Sequence, residues 1–318
     1  MMTRRCKKTF SRREFVVCGA GTVAAGPLLA APTDRARLGD APVIFERGFE
    51  NTSGGQLHFR RAAPVRLDAP LKRTVLCFHQ TPNSSQVYVE FLAEMTRDRI
   101  VYAIDTPGYG ESDLPPENPT IEDYASCMLE FIRRRALGTV DLVGYHAGAS
   151  IAAELAMITP EKVNALMLVG VALFNDAARQ AYLDKPWPEP INENGEHLLR
   201  EWQLSHRWQG NEQSDASVHR TFTQKIANGS TSYWAGIAVM HHDLDKTLRH
   251  IEQPMVVVNP NDDLFEVTPR IKAIRPDVDV IDWPTHGFGI FEVQAPQLGA
   301  VARELFDQTD SAPKSSDE

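Results

Sequence analysis

Continuous apolar runs recur along the chain at Thr74 to Phe78, Ile100 to Ile104, Val140 to Val143, Ala165 to Val169, Met255 to Val258 and Val278 to Asp282. Short and rich in branched residues, they predict strands buried on both faces, as in a parallel sheet. Between them, Tyr88 to Arg97, Ile121 to Arg135, Ala149 to Ile158 and Ile290 to Phe306 carry the three- and four-residue spacing of amphipathic helices. Val43 to Phe49 and Gln56 to Arg61, around Ser53-Gly54-Gly55, predict an opening hairpin. Strands alternating with helices place the chain in the α/β class, with a doubly wound, mostly parallel sheet. Right-handed crossovers bring the C-terminal ends of such strands to one edge, where sites are built.

One interval breaks the rhythm. From Val171 to Gln253 no core-strand run occurs, yet four of the five Trp residues lie there, after a Pro-rich start at Pro186-Trp187-Pro188-Glu189-Pro190. A structureless loop of that length is implausible in a compact domain, so residues 172–253 predict a helical cap inserted between late strands. Residues 43–171 and 254–306 then form the core, and the polar stretch 307–318 predicts a disordered tail. At least half of the cap's Trp residues should pack its interior, and the cap implies a partly enclosed apolar pocket for a small molecule.

The net charge of −9, without Lys and Arg clustered on any folded element, excludes a nucleic-acid backbone as partner. The first residues read differently. Arg4, Arg5, Lys7, Lys8, Arg12 and Arg13 precede a mildly apolar run from Val16 to Ala31, and Ser11-Arg12-Arg13-Glu14-Phe15 resembles a twin-arginine export signal. Residues 1–31 are therefore expected to address the chain to the twin-arginine export machinery, with cleavage between 26 and 36 and a periplasmic or secreted product of net charge −14. The run is shorter than the ~20 residues of a membrane span and is broken by Gly26-Pro27, so no stable membrane anchor is expected. Of the four Cys, Cys6 and Cys18 leave with that segment; Cys77 and Cys127 fall in a core strand and a helix, and read as buried thiols.

Four signatures follow predicted strands. Asp105-Thr106-Pro107-Gly108-Tyr109-Gly110-Glu111-Ser112 is a glycine-dense tight loop with a structural role. His79-Gln80-Thr81-Pro82 follows the strand ending at Phe78. Gly144-Tyr145-His146-Ala147-Gly148 joins a strand to an Ala-rich helix. Asn259-Pro260-Asn261-Asp262-Asp263 and Thr285-His286-Gly287-Phe288 follow the last strands. Together they resemble the α/β-hydrolase fold superfamily, in its cap-bearing form, from about Val43 to Phe306; the third matches the nucleophile elbow G-x-S-x-G except that His146 stands in place of serine.

The resemblance implies a nucleophile position at His146, an acid at Asp262 with Asp263 as the adjacent alternative, and a histidine at His286 whose tautomer Asp262 holds. It implies oxyanion donors at the backbone N–H of Thr81 and Ala147, with Gln80 narrowing that hole or adding a side-chain amide donor, while His79 buttresses its loop. A mostly neutral imidazole is already nucleophilic at pH 7, so His146 could attack an activated acyl group, and water deprotonated by His286 would cleave the acyl-imidazole. The helix dipole at the elbow should depress the pKa of His146. These readings make the chain a hydrolase of a small ester-like or related carbonyl compound. Two alternatives stay open: a lyase or isomerase using His146 and His286 as a proton-transfer pair, and a ligand-binding protein with a dead elbow. Ser150, one helical turn on, would be carried away from the turn.

His241-His242-Asp243-x-Asp245 reads as the end of a cap helix, with one histidine facing the pocket, and no metal is assigned to it. Neither a Gly-rich phosphate loop nor a dinucleotide fingerprint occurs, so no cofactor is implied.

Overall fold

A computed structural model describes residues 43–65, 70–187, 191–210 and 212–311. The expected export signal lies outside the described residues, among which no helix is long and apolar enough to cross a membrane.

The chain opens with an antiparallel hairpin, β1 (Val43–Thr52) and β2 (Gly55–Pro64). Then follow β3 (Thr74–Phe78), α1 (Val89–Met95), β4 (Val101–Ile104), α2 (Ile121–Arg134), β5 (Val140–Tyr145), α3 (Ala147–Ile158) and β6 (Val163–Val169). Five helices come next, α4 (Asp176–Leu183), α5 (Glu196–Arg207), α6 (Asp215–Ala227), α7 (Trp234–His241) and α8 (Leu244–His250). The chain then returns through β7 (Met255–Pro260), α9 (Ile271–Ile274), β8 (Asp279–Trp283), α10 (Ile290–Val293) and α11 (Ala295–Ser311). The eight strands form one sheet in the order β1-β2-β4-β3-β5-β6-β7-β8, antiparallel at the β1–β2 and β2–β4 pairings and parallel from β4 to β8. Every predicted strand is present.

The continuous apolar runs are explained by burial on both faces. Odd and even positions of the central strands enter different clusters: Leu142, Leu166, Leu168 and Val257 pack with α2 and α3 on one face. Val143, Met167, Val169 and Val258 pack with α1, α10 and α11 on the other. Cys77 and Cys127 are buried free thiols. α2 starts on a capping box in which Thr120 and Asp123 satisfy each other's backbone N–H groups.

Two corrections concern the last third of the chain. The polar tail was expected to begin at Asp307, but α11 runs on to Ser311. Asp307 accepts hydrogen bonds from Lys72 and Arg99, and Thr309 reaches Asn164, so ion pairs hold a segment whose composition lacks apolar anchors. The adjacent histidines close α7, as expected of a helix end, but they point elsewhere than to the elbow. His241 is exposed, and His242 is buried away from the elbow, between Glu122 (3.3 Å), Glu154 (3.7 Å) and Thr247 (3.1 Å).

Candidate active site

The site starts at the sharp corner between β5 and α3. His146 occupies it with φ 51° and ψ −113°, a left-handed conformation that costs a non-glycine residue on the order of 1–3 kcal/mol and persists only where surrounding packing enforces it. The enforcement is visible at the flanking glycines. A Cβ on Gly144 would lie 2.5 Å from the carbonyl oxygen of Gly148, and one on Gly148 would lie 1.9 Å from that of Phe78. The same close approach lays the start of α3 against the end of β3. Ala147, first residue of α3, carries one of the N–H groups that a helix start leaves without an intrahelical partner. Thr81 lies in the loop after β3, whose shape is held by His79: its Nδ1 bonds the Gln80 carbonyl (2.8 Å) and its Nε2 accepts from Thr106 N–H (2.9 Å).

The His146 ring is turned toward the end of β7. Its Nε2 lies 2.8 Å from Asp262 Oδ2, and its Nδ1 lies 3.8 Å from Asp263 Oδ1. Asp262 is buried, and its other oxygen accepts from Leu264 N–H (2.9 Å), which fixes the carboxylate plane. The ring packs edge-on against Tyr145 (4.5 Å between centres) and obliquely against Phe288 (5.7 Å). On its third side stands Gly170, at φ 59°, where a Cβ would come within 2.6 Å of His146 Cδ2. Gly170 thus makes room for the imidazole, a role that becomes visible only once β5 and β6 are known to be neighbours.

His286 is not part of this arrangement. Its Nδ1 contacts Thr285 Oγ1 (3.1 Å), its ring leans on Trp283, and Asp262 is engaged by His146 instead. The expected Asp262–His286 pair therefore does not form. The loop is placed by its backbone: Phe288 N–H donates to Trp208 O (2.9 Å), Gln209 bridges to Phe288, and His286 O accepts from Asn261 N–H. That pinning brings Phe288, two residues on, over the elbow ring.

The pKa expectation is also overturned. Burial works against the imidazolium, but the charge of Asp262 and its hydrogen bond outweigh burial, with Asp263 adding to them, so the pKa of His146 is raised above 6.5. A cation missed in the sequence opposes this: Lys225 of α6, whose Nζ lies 5.5 Å from the Phe288 ring centre and 3.0 Å from Glu201. Asp105 marks the structural loop, not the site. Buried, it accepts from Ser85 N–H (2.6 Å), Glu111 N–H (2.9 Å) and His58 (2.8 Å); burial opposes its charge, but these bonds and nearby histidine hold its pKa down at about 2.

Among the described residues, two triads could offer ligand atoms to a divalent metal, His146 with Asp262 and Asp263, and Glu122 with Glu154 and His242. Gln80 is buried and, with Tyr145 and residues of α6 and α10, lines a small cavity.

A family model described as the alpha/beta hydrolase fold matches residues 73–222, the span from β3 through the elbow into α6. The protein has the α/β-hydrolase fold. Solved structures with this fold agree over most of the chain. An enol-lactonase from Burkholderia xenovorans LB400 superposes with TM-score 0.67 at 14% identity, covering 82% of this chain and all of its own. An esterase from Exiguobacterium antarcticum gives 0.67 at 15%, covering 81% and 98%. Among curated sequences, a putative 2-succinyl-6-hydroxy-2,4-cyclohexadiene-1-carboxylate synthase of Bacillus subtilis (strain 168) is 35% identical over 96 residues, 30% of this chain. The chain thus matches about a third of that relative's length (35%). At the elbow His146 stands where the G-x-S-x-G pattern has serine, and it contacts Asp262 directly.

Proposed function

We propose that the protein is a hydrolase of small ester-like carbonyl compounds in which His146 is a general base for water. The carrying observation is the 2.8 Å contact between His146 Nε2 and Asp262 Oδ2. A carboxylate there favours the tautomer with the proton on Nε2, which leaves Nδ1 as the basic atom. Asp262 also raises the affinity of the ring for a second proton, and so strengthens it as a base. Water held at Nδ1 attacks the substrate carbonyl carbon while its proton passes to Nδ1. The backbone N–H groups of Ala147 and Thr81 take the developing oxyanion, and the imidazolium then returns the proton to the departing alkoxide as the C–O bond breaks. Products are the acid and the alcohol, with no enzyme-bound acyl group. Asp262 is a positioning residue in this scheme, and His286 has no part in it. The hydrolase activities named for structures of the same fold, a lactonase and an esterase, support this reading.

The test is turnover of 4-nitrophenyl butyrate followed by intact-protein mass spectrometry on the steady-state mixture. The reading predicts release of 4-nitrophenol that His146→Ala removes, with the protein at its unmodified mass. An acyl adduct on His146 would replace the base role with a covalent one. No turnover of any ester, with His146-dependent conversion of another carbonyl compound, would move the base to C–H abstraction.

A further inference from the structure

The cavity beside the elbow has a volume of about 40 Å³ and lies between Gln80, Tyr145, α6 and α10. At roughly 10–15 Å³ per water, it holds about three waters, enough for a small substituent but not for a ring. Its walls mix polar and apolar surface, and most of their polar groups are already engaged. Ser217 Oγ donates to Glu292, Arg220 pairs with Glu292 (2.6 Å), and Gln224 Oε1 accepts from Ser84 Oγ (2.7 Å). Gln80 and Tyr145 differ: they are 5% and 1% exposed, and among the described residues neither Gln80 Oε1 nor Tyr145 Oη has a hydrogen-bond partner. A buried acceptor left open is costly, and a native chain keeps one where something else completes it.

Two features narrow what completes it. Among the described residues of the wall the one cation, Arg220, is already neutralised by Glu292, so they offer no surplus positive charge to a carboxylate or phosphate. Gln80 Oε1 can only accept, while the Tyr145 hydroxyl can give or take, so a ligand group that completes Gln80 must donate. Position supplies the rest: Gln80 directly precedes Thr81 and Tyr145 directly precedes His146, so two residues lining the cavity are the chain neighbours of groups assigned to the reaction.

We infer that this cavity is a specificity pocket in which Gln80 Oε1 accepts a hydrogen bond from a neutral hydroxyl or amide N–H carried within a few bonds of the substrate carbonyl. The inference rests on the hydrolase reading for the word substrate, but not for the pocket. Glutamine at this position then acts as a reader of the substrate, not as an oxyanion donor.

The probes are matched pairs, 4-nitrophenyl 3-hydroxybutyrate against 4-nitrophenyl butyrate for turnover, and 3-hydroxybutyrate against butyrate for binding by titration calorimetry or ligand-observed NMR. One hydrogen bond gained should favour the hydroxylated member of each pair by about tenfold in kcat/KM or Kd. Gln80→Leu should bring both ratios close to one. Gln80→Asn, which keeps the carboxamide on a shorter arm, should keep part of the preference. If no ester is turned over, the hydrolase reading fails while the binding pair still decides the pocket. Equal binding of the two acids to the unaltered protein, or ratios unmoved by Gln80→Leu, would overturn the inference without needing any variant to fold better than the other.

Discussion

Replacing Asp262 by Asn probes the contact on which the proposed chemistry depends. The substitution keeps size and planarity but removes the charge that faces His146 Nε2 at 2.8 Å. A hydrogen bond to a carboxylate contributes about 1.5–3 kcal/mol and a neutral one about 1, so roughly 1–2 kcal/mol of stability should go with the charge. Catalysis should suffer more. The new amide can donate to Nε2, which moves the ring proton to Nδ1 and removes the base; loss of tautomer control in Asp–His pairs lowers kcat by about 10⁴, equivalent to about 5.4 kcal/mol. Because the folded-state pKa of His146 is raised, the pair's contribution to stability is fully present below about pH 6.5 and is lost as pH rises through the folded-state value. The deficit of Asp262→Asn in thermal unfolding should therefore be larger at pH 6 than at pH 9, and NMR titration of the His146 ring should show its pKa falling in the variant. A variant that retains kcat within tenfold, or a His146 ring that titrates unchanged, would refute the reasoning.

His286→Ala should leave kcat/KM within about twofold, since the ring touches Thr285 and Trp283 and not the proposed reacting groups, and such a change is worth about ±0.5 kcal/mol; ester assays on the purified variant check this. Gly170→Ala forces a Cβ to within 2.6 Å of the His146 ring at a positive φ, and should destabilise the fold by about 2–4 kcal/mol in urea unfolding while removing most activity. Asp105→Asn breaks a buried cluster and should cost about 3–5 kcal/mol. Its folded pKa is depressed to about 2, so that contribution is present above about pH 4 and disappears as pH falls toward 2, which acid unfolding of the two proteins will show.

Much of this architecture was legible because it depends on local pattern. Strands buried on both faces write themselves as continuous apolar runs, and the elbow needs glycine at 144 and 148 because their Cβ positions are already occupied by backbone. What was illegible depends on partners distant in sequence. Nothing in Thr285-His286-Gly287-Phe288 says that Trp208 and Gln209 will fix its backbone, and that fixing turns His286 aside and sets Phe288 over the elbow. The bulk of His146 itself is the second cause: an imidazole at the corner reaches Asp262 directly, a distance that a serine hydroxyl could span only through another side chain. Gly170, Lys225 and the junction of His242 with Glu122 and Glu154 share the same origin, since each is created by elements that meet only in the folded chain.

The most direct measurement is the steady-state rate of ester hydrolysis for His146→Ala against the unaltered protein, with folding of both confirmed by circular dichroism. With the base removed and the Ala147 and Thr81 amides intact, kcat/KM should fall by about 10²–10⁴, the share general-base catalysis contributes. A His146→Ala protein that hydrolyses the ester as fast as its parent would contradict the account at its root.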